Sequence, residues 1–146
     1  MPERNARDVI EHYVELMGNR AWDRFGEVLH PDYVEEYPQS GERIVGLSNA
    51  RELRAQYPGG DVGPIERRDV VGGEDRWVMT PSFTLVRIEG TSDRYTYVMR
   101  TRYPDGSMWF IITIIRLKDG LIHHATTYFA PDFAAPDWRK QYRESP

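Results

Sequence analysis

Between Tyr95 and Phe129 apolar and aromatic positions recur at every second residue in three runs. The runs are separated by Tyr103-Pro104-Asp105-Gly106-Ser107 and Leu117-Lys118-Asp119-Gly120-Leu121. A period of two predicts strands, and Asp-Gly in each break predicts tight turns, so the stretch reads as three antiparallel strands. Both breaks have the pattern of a three-residue loop with Gly in the left-handed position. Tyr103 would then pair with Ser107 and Leu117 with Leu121, placing the odd-numbered residues of all three strands on one face. That face carries Tyr95, Tyr97, Met99, Trp109, Ile111, Thr113, Ile115, His123, Ala125, Thr127 and Phe129. The even face is apolar too, through Val98, Met108, Phe110, Ile112, Ile114 and Ile122. Both faces need cover, and the helices in this chain can supply one layer; a second subunit, hence a homodimer, is expected on the even face.

Upstream, Ala6, Val9, Ile10, Tyr13, Leu16 and Met17 have the spacing of a helix with one buried stripe, predicted over Asn5 to Met17. A second short helix is predicted from Ala21 to Leu29, stopped by His30-Pro31. Tyr33 to Tyr37 reads as a short strand that Pro38 makes an edge, with a brief return from Arg43 to Val45. A third helix follows, roughly Ser48 to Tyr57, with Leu47, Ala50, Leu53 and Tyr57 inward and an Asn49/Glu52 capping box. Ile65 to Val71 and Arg76 to Ile88 are further strands, the latter bulged at Pro81. A last helical turn is predicted at Asp137-Trp138-Arg139. The tail's Phe133 and Trp138 are expected to pack on a pocket mouth or on the partner subunit, closing the pocket.

Three N-terminal helices packed on a curved, mostly antiparallel sheet make an α+β domain, a cone or α+β barrel with an internal cavity. At 146 residues a single domain over 1–146 is expected, burying roughly 70% of its unfolded surface. Net charge −4 and scattered arginines argue against nucleic acid. No apolar run approaches the ~20 residues of a membrane span, and the start lacks a signal-peptide pattern, so a cytoplasmic location is expected. The absence of cysteine excludes disulfides, thiolate metal sites and cysteine nucleophiles.

Candidate chemistry lies on the odd face and the first helix. His123 has an ordinary pKa suited to proton transfer near neutral pH; the same position suits a structural histidine. His124 would face the opposite side, and neighbouring strand residues cannot share one metal, so no metal site is read from the pair. Tyr13 is either a core tyrosine or a phenol that donates to a substrate oxygen. Glu35 and Tyr37 share a parity and could both point inward, where burial would raise the Glu35 pKa. Tyr97, Trp109 and Phe129 would line an apolar cavity or fill a core. Gly59-Gly60 and Gly72-Gly73 lack the context of phosphate loops, and no serine sits in a nucleophile elbow.

Tyr13-Val14, Trp22-Asp23-Arg24-Phe25, His30-Pro31-Asp32, the run VEEYPQSGERIVG from Val34 to Gly46, and Asp119-Gly120-Leu121-Ile122 together resemble SnoaL-like domains of the nuclear transport factor 2-like superfamily. The resemblance implies a homodimer whose pocket lies between the helices and the concave sheet face, acting on small, largely apolar molecules without a cofactor. It matches Tyr13 to the oxyanion-hole tyrosine of ketosteroid isomerase. It puts Tyr37 where that enzyme has its general-base Asp and Thr113 where it has a protonated Asp, so steroid isomerisation of that kind lacks two of three parts. The His and Asp of the polyketide cyclase pattern correspond to Ala125 and Thr127.

Two functions follow as expectations. One is a cofactor-independent acid/base enzyme of isomerase, cyclase or dehydratase (lyase) type, with His123 and Tyr13 catalytic and Glu35, Tyr37, Tyr97, Trp109, Thr113 and Thr127 binding the substrate. The other is a non-catalytic ligand-binding or dimerisation module. The partner in either case is a small apolar organic ligand, with no nucleic acid and no membrane.

Overall fold

A computed structural model describes residues 5–57, 78–79 and 83–144. The strand expected over Ile65 to Val71 and the bulge at Pro81 fall outside them. Helix α1 (Ala6–Gly18) starts at Asn5, whose side chain accepts from the Asp8 N–H at 2.9 Å and satisfies one of the orphan donors of the first turn. Its stripe of Val9, Ile10, Tyr13, Val14 and Leu16 is buried. The second helix is a shorter 3-10 helix, Trp22–Glu27, and strand β1 begins at once, Leu29–Tyr37, so His30-Pro31 lies inside a strand. Strand β2 is Glu42–Val45 and helix α2 Leu47–Ala55. Gly46 caps α2 without a side-chain bond, and Asn49 donates to the Val45 carbonyl (2.9 Å) in place of the expected capping box. Ala50 is the buried residue of α2, while Leu53 and Tyr57 are largely exposed, against the inward placement expected for them.

Strands β3 (Val78–Met79), β4 (Phe83–Thr91), β5 (Arg94–Arg102), β6 (Met108–Lys118) and β7 (Leu121–Pro131) complete a sheet in the order β2-β1-β7-β6-β5-β4-β3. Among the described strands only β1 with β7 is parallel. The fold is therefore the expected α+β layer of helices on a curved, mostly antiparallel sheet, but the sheet stays open and does not close into a barrel. Nor is β1 an edge: it lies between β2 and β7, and Pro38 follows its last residue, where it removes no ladder bond.

The first turn of the meander has three residues. Gly106, at φ 86°, donates to the Tyr103 carbonyl, and Tyr103 donates to Ser107, both at 2.8 Å. This sets Tyr97 opposite Thr113 and Thr101 opposite Trp109. The second turn differs from expectation. Asp119 (φ 54°) and Gly120 (φ 75°) are both left-handed, the two-residue turn that matches the twist of the flanking strands, and Lys118 pairs with Leu121. One pair further, Leu117 faces Ile122 but Arg116 faces His124. His123 is left over as a bulge.

Parity is thereby restored beyond the bulge, and Ala125, Thr127 and Phe129 keep the inner face with Ile115, Thr113 and Ile111. Before it, Ile122 turns inward and is fully buried, not on the even face as expected. The core lies between this inner face and the helices, through Ile10, Tyr13, Val14, Phe25, Leu29, Tyr33 and Ile115. The outer face leaves Ile114 47% and Tyr128 38% exposed.

Beyond β7 another 3-10 helix, Asp137–Tyr142, includes the turn expected there. Its Trp138, and Phe133 before it, stand in solvent and do not close a pocket on their own chain.

Candidate functional site

A charged pair lies at the centre of the helix-facing side of the sheet. Glu35, on the inward parity of β1, is 1% exposed. Arg54 meets it from α2, its Nη1 donating to Oε1 at 2.8 Å and its Nη2 to Oε2 at 3.3 Å. The same Nη1 donates to the Ala50 carbonyl (2.9 Å) and the same Nη2 to the Tyr13 hydroxyl (3.0 Å). The Tyr37 hydroxyl donates to Oε2 of Glu35, and the Tyr33 hydroxyl bonds to that of Tyr13. Three of the carboxylate's roughly four lone-pair sites are thus engaged, which is what a buried carboxylate needs to remain in place.

The electrostatics follow from burial. Desolvation raises the Tyr13 pKa, partly offset by Arg54. Tyr33 is pushed up by desolvation and then by Tyr13. The Tyr37 pKa is raised by burial and by the negative Glu35 beside it, so Tyr37 is a neutral donor at ordinary pH. Burial alone would lower the Arg54 pKa; Tyr13 and Glu35 outweigh it and raise it, which keeps the guanidinium charged.

Beside this cluster opens a cavity of about 270 Å³. Its walls are mainly apolar and aromatic, with Trp22, Met99, Ile111, Tyr103 and Phe129, and three arginines, Arg20, Arg54 and Arg102, line it too. Tyr103 is half-buried there, and its phenol pKa is pushed up to about 12 by burial. Phe129 joins cavity and cluster: its ring meets Tyr37 edge-on at 5.2 Å. Its backbone N–H donates to the Gln39 side chain and its carbonyl accepts from it, at 2.6 and 2.9 Å.

The structure brings Tyr13, Glu35 and Tyr37 together. Tyr97, Thr113 and Thr127 form a second, buried set: the two threonine hydroxyls lie 3.0 Å apart and Thr113 bonds to Tyr97. Trp109 sits near the cavity end of the sheet, donating to Ser107 at 2.8 Å and packed on Tyr103.

His123 is elsewhere. The two-residue turn and its bulge carry it to the outer face, in a groove with His124, Ile114, Arg116 and Thr126. Its ring lies 5.0 Å from that of His30, and its pKa is lowered by desolvation and by His30. The expected placement of His123 in the cavity is corrected accordingly. Loop length decided it, and both histidines share one side where the three-residue register separated them.

Arg54 is the group that sequence reasoning missed. It continues the stripe Leu47, Ala50, Arg54, and an inward Glu35 calls for a cation within reach. Among the described residues no three His, Asp or Glu side chains converge as metal ligands, and no helix is long and apolar enough to cross a membrane.

An open, curved α+β sheet with helices on its concave side and a cavity between them defines a protein of the nuclear transport factor 2-like type. The chain belongs to the SnoaL-like domain family, whose model matches residues 10–125. Among solved structures it is similar to an NTF-2-like protein of unknown function from Burkholderia xenovorans, with a TM-score of 0.75 and 26% identity over 97% of this chain and 94% of that one. A protein from Kribbella flavida, provisionally named a ketosteroid isomerase, matches with a TM-score of 0.74 and 20% identity over 97% and 89%. An LEH-like epoxide hydrolase from M. tuberculosis matches with a TM-score of 0.59 and 17% identity over 85% and 81%. No curated protein matches the sequence significantly.

Proposed function

We propose that the cavity binds a small, largely apolar organic molecule and holds one of its oxygen atoms against Arg54. The observation that carries this is Arg54 at the cavity wall. Its four terminal N–H donors are spent on Glu35, Ala50 and Tyr13, and the fifth, on Nε, has no acceptor among the described residues. A mostly apolar cavity with a few polar groups on its wall, here Arg54 with Arg20, Arg102 and Thr101, is the usual composition of a small-molecule site. The structural neighbours named for isomerase and epoxide hydrolase activity support substrates of that class.

Behind Arg54, Glu35 and Tyr37 form a base and a neutral acid joined by one hydrogen bond. This pairing supports cofactor-independent proton transfer of isomerase, cyclase or dehydratase type, with Arg54 as donor to the developing negative oxygen and Tyr13 bonded to Arg54 behind it. A non-catalytic ligand-binding role is supported by a different observation: Glu35 is almost fully buried and lies behind the cavity wall.

Native mass spectrometry of the purified protein, followed by thermal-shift screening with neutral ketones, epoxides and lactones, identifies a ligand. Ile111→Trp, which fills the cavity, is expected to abolish that binding while the fold persists; full binding to this variant would place the ligand elsewhere. Glu35→Gln separates the two readings. Turnover lost by about a hundredfold with binding kept supports the enzyme with Glu35 as base; unchanged turnover removes Glu35 from the chemistry, and ligand binding without turnover in the parent supports the carrier. His123→Ala is expected to leave ligand binding intact.

We further propose a homodimer through the outer face, supported by the exposed Ile114 and Tyr128 on an otherwise half-buried apolar surface. Ile112→Glu is expected to convert it to a monomer in sedimentation or light scattering. A wild-type chain that is monomeric at micromolar concentration contradicts this reading.

A further inference from the structure

We propose that the C-terminal arm, Phe133 to Tyr142, docks on the outer sheet face of a second copy of this chain, with Trp138 seated in the groove between β6 and β7. The inference rests on the homodimer reading and names the element that holds the two copies together.

The arm leaves the sheet at a fixed point. The Asp132 N–H donates to the Met108 carbonyl at 3.0 Å, and the Asp132 carboxylate takes both Arg100 terminal nitrogens at 3.0 and 2.7 Å. Arg100 in turn lies over the Phe110 ring at 4.9 Å. From there the chain projects three large aromatics into solvent: Phe133, Trp138 and Tyr142 are 80%, 69% and 77% exposed. Side chains of this size hold about 150 Å² each at such exposure, or about 450 Å² per arm. Two reciprocal arms with matching areas on the receiving faces bury on the order of 1,800 Å², within the range of stable protein interfaces.

The receiving groove fits the arm's chemistry. It has a volume of about 370 Å³ and is lined by Ile114, Arg116, His123, His124 and Thr126. Ile114 gives an apolar seat for an indole. Around it, His124 faces Glu36 (3.7 Å) and His30 faces Asp119 (3.6 Å), while Arg116 makes no ion pair among the described residues. Asp137, next to Trp138 in the arm, supplies the carboxylate that Arg116 lacks, and the guanidinium can lie against the indole face. Each copy gives one arm and receives one, the closed two-fold arrangement.

The chain has no cysteine, so single thiols can be placed without background. Trp138→Cys and Ile114→Cys proteins are mixed and treated with a short thiol-reactive cross-linker. A covalent dimer containing one copy of each variant is the expected product, in excess of either homodimer. Truncation after Asp132, and Trp138→Ala in the full chain, are expected to raise the dimer dissociation constant on the order of a hundredfold. A full chain that dimerises as tightly as the truncated one, with no mixed cross-link, overturns the arm and leaves the homodimer standing. A full chain that stays monomeric overturns both.

Discussion

Arg54→Met is expected to lose about 3–5 kcal/mol of stability, because it leaves the Glu35 carboxylate buried without its cation. Glu35 is 1% exposed and its remaining partner is the Tyr37 hydroxyl. Tyr13 also loses the donor that its oxygen accepts from. The double variant Glu35→Leu/Arg54→Met removes both charges and is expected to recover most of the loss, since an apolar pair of similar volume avoids the desolvation cost. Urea unfolding of the parent, Arg54→Met, Glu35→Leu and the double variant gives the coupling energy directly from a double-mutant cycle. A single variant that loses less than about 1 kcal/mol would mean that the pair is solvated and the cavity floor is open water. The distinction bears on function, because a directed guanidinium donor in a dry site is worth far more to a bound oxygen than the same group in water.

The parts of this fold that were legible in the sequence are those where one local pattern has one structural solution. The stripe from Val9 to Leu16 and the β5–β6 register are of that kind: the Pro104-Asp105-Gly106 loop is three residues long, and every pair from Arg94 with Arg116 to Arg102 with Met108 follows from it. The Lys118-Asp119-Gly120 turn has two solutions. Asp-Gly suits a three-residue loop with one left-handed residue or a two-residue turn with two, and the bulge at His123 absorbs the difference within one pair. A single displaced residue therefore moved the histidine from the cavity to the outer face without disturbing Ala125, Thr127 or Phe129.

The candidate site was half legible. Tyr13, Glu35 and Tyr37 could be placed because helix stripe and strand parity are local. Arg54 could not be placed from α2 alone, since an arginine on a short amphipathic helix ordinarily faces water. Only the long-range meeting of α2 with β1 turns it inward, through its bond to Glu35 across 19 positions of sequence. The sheet's open edges were invisible for the same reason: closure depends on how the outermost strands are placed, which no local pattern encodes.

Alkaline unfolding is expected as a late, steep transition, driven by the phenols buried at the site. Tyr13, Tyr33 and Tyr97 are 2%, 1% and 4% exposed, and desolvation raises the pKa of each above the ordinary 10.0. In the unfolded chain these phenols ionise near 10.0, whereas in the folded chain they hold their protons to higher pH. Above pH 10 the native state therefore binds more protons than the unfolded one. The stability they contribute is complete below pH 10 and is lost as pH rises toward their folded values. Each costs about 1.4 kcal/mol per pH unit in that window, or about 4 kcal/mol for the three together. A domain of ordinary stability, about 5–15 kcal/mol, therefore loses a large part of its margin over the pH range between 10 and the folded values. The chain has nine tyrosines, so the exposed ones should titrate early by phenolate absorbance. The buried ones should follow in one step that coincides with loss of the helical circular dichroism signal. Tyr97→Phe is expected to reduce the steepness of that step by about a third. Absorbance that titrates completely near pH 10 with secondary structure intact would show that water reaches these hydroxyls, and the buried network around Arg54 and Glu35 would then have to be redrawn as an open, hydrated one.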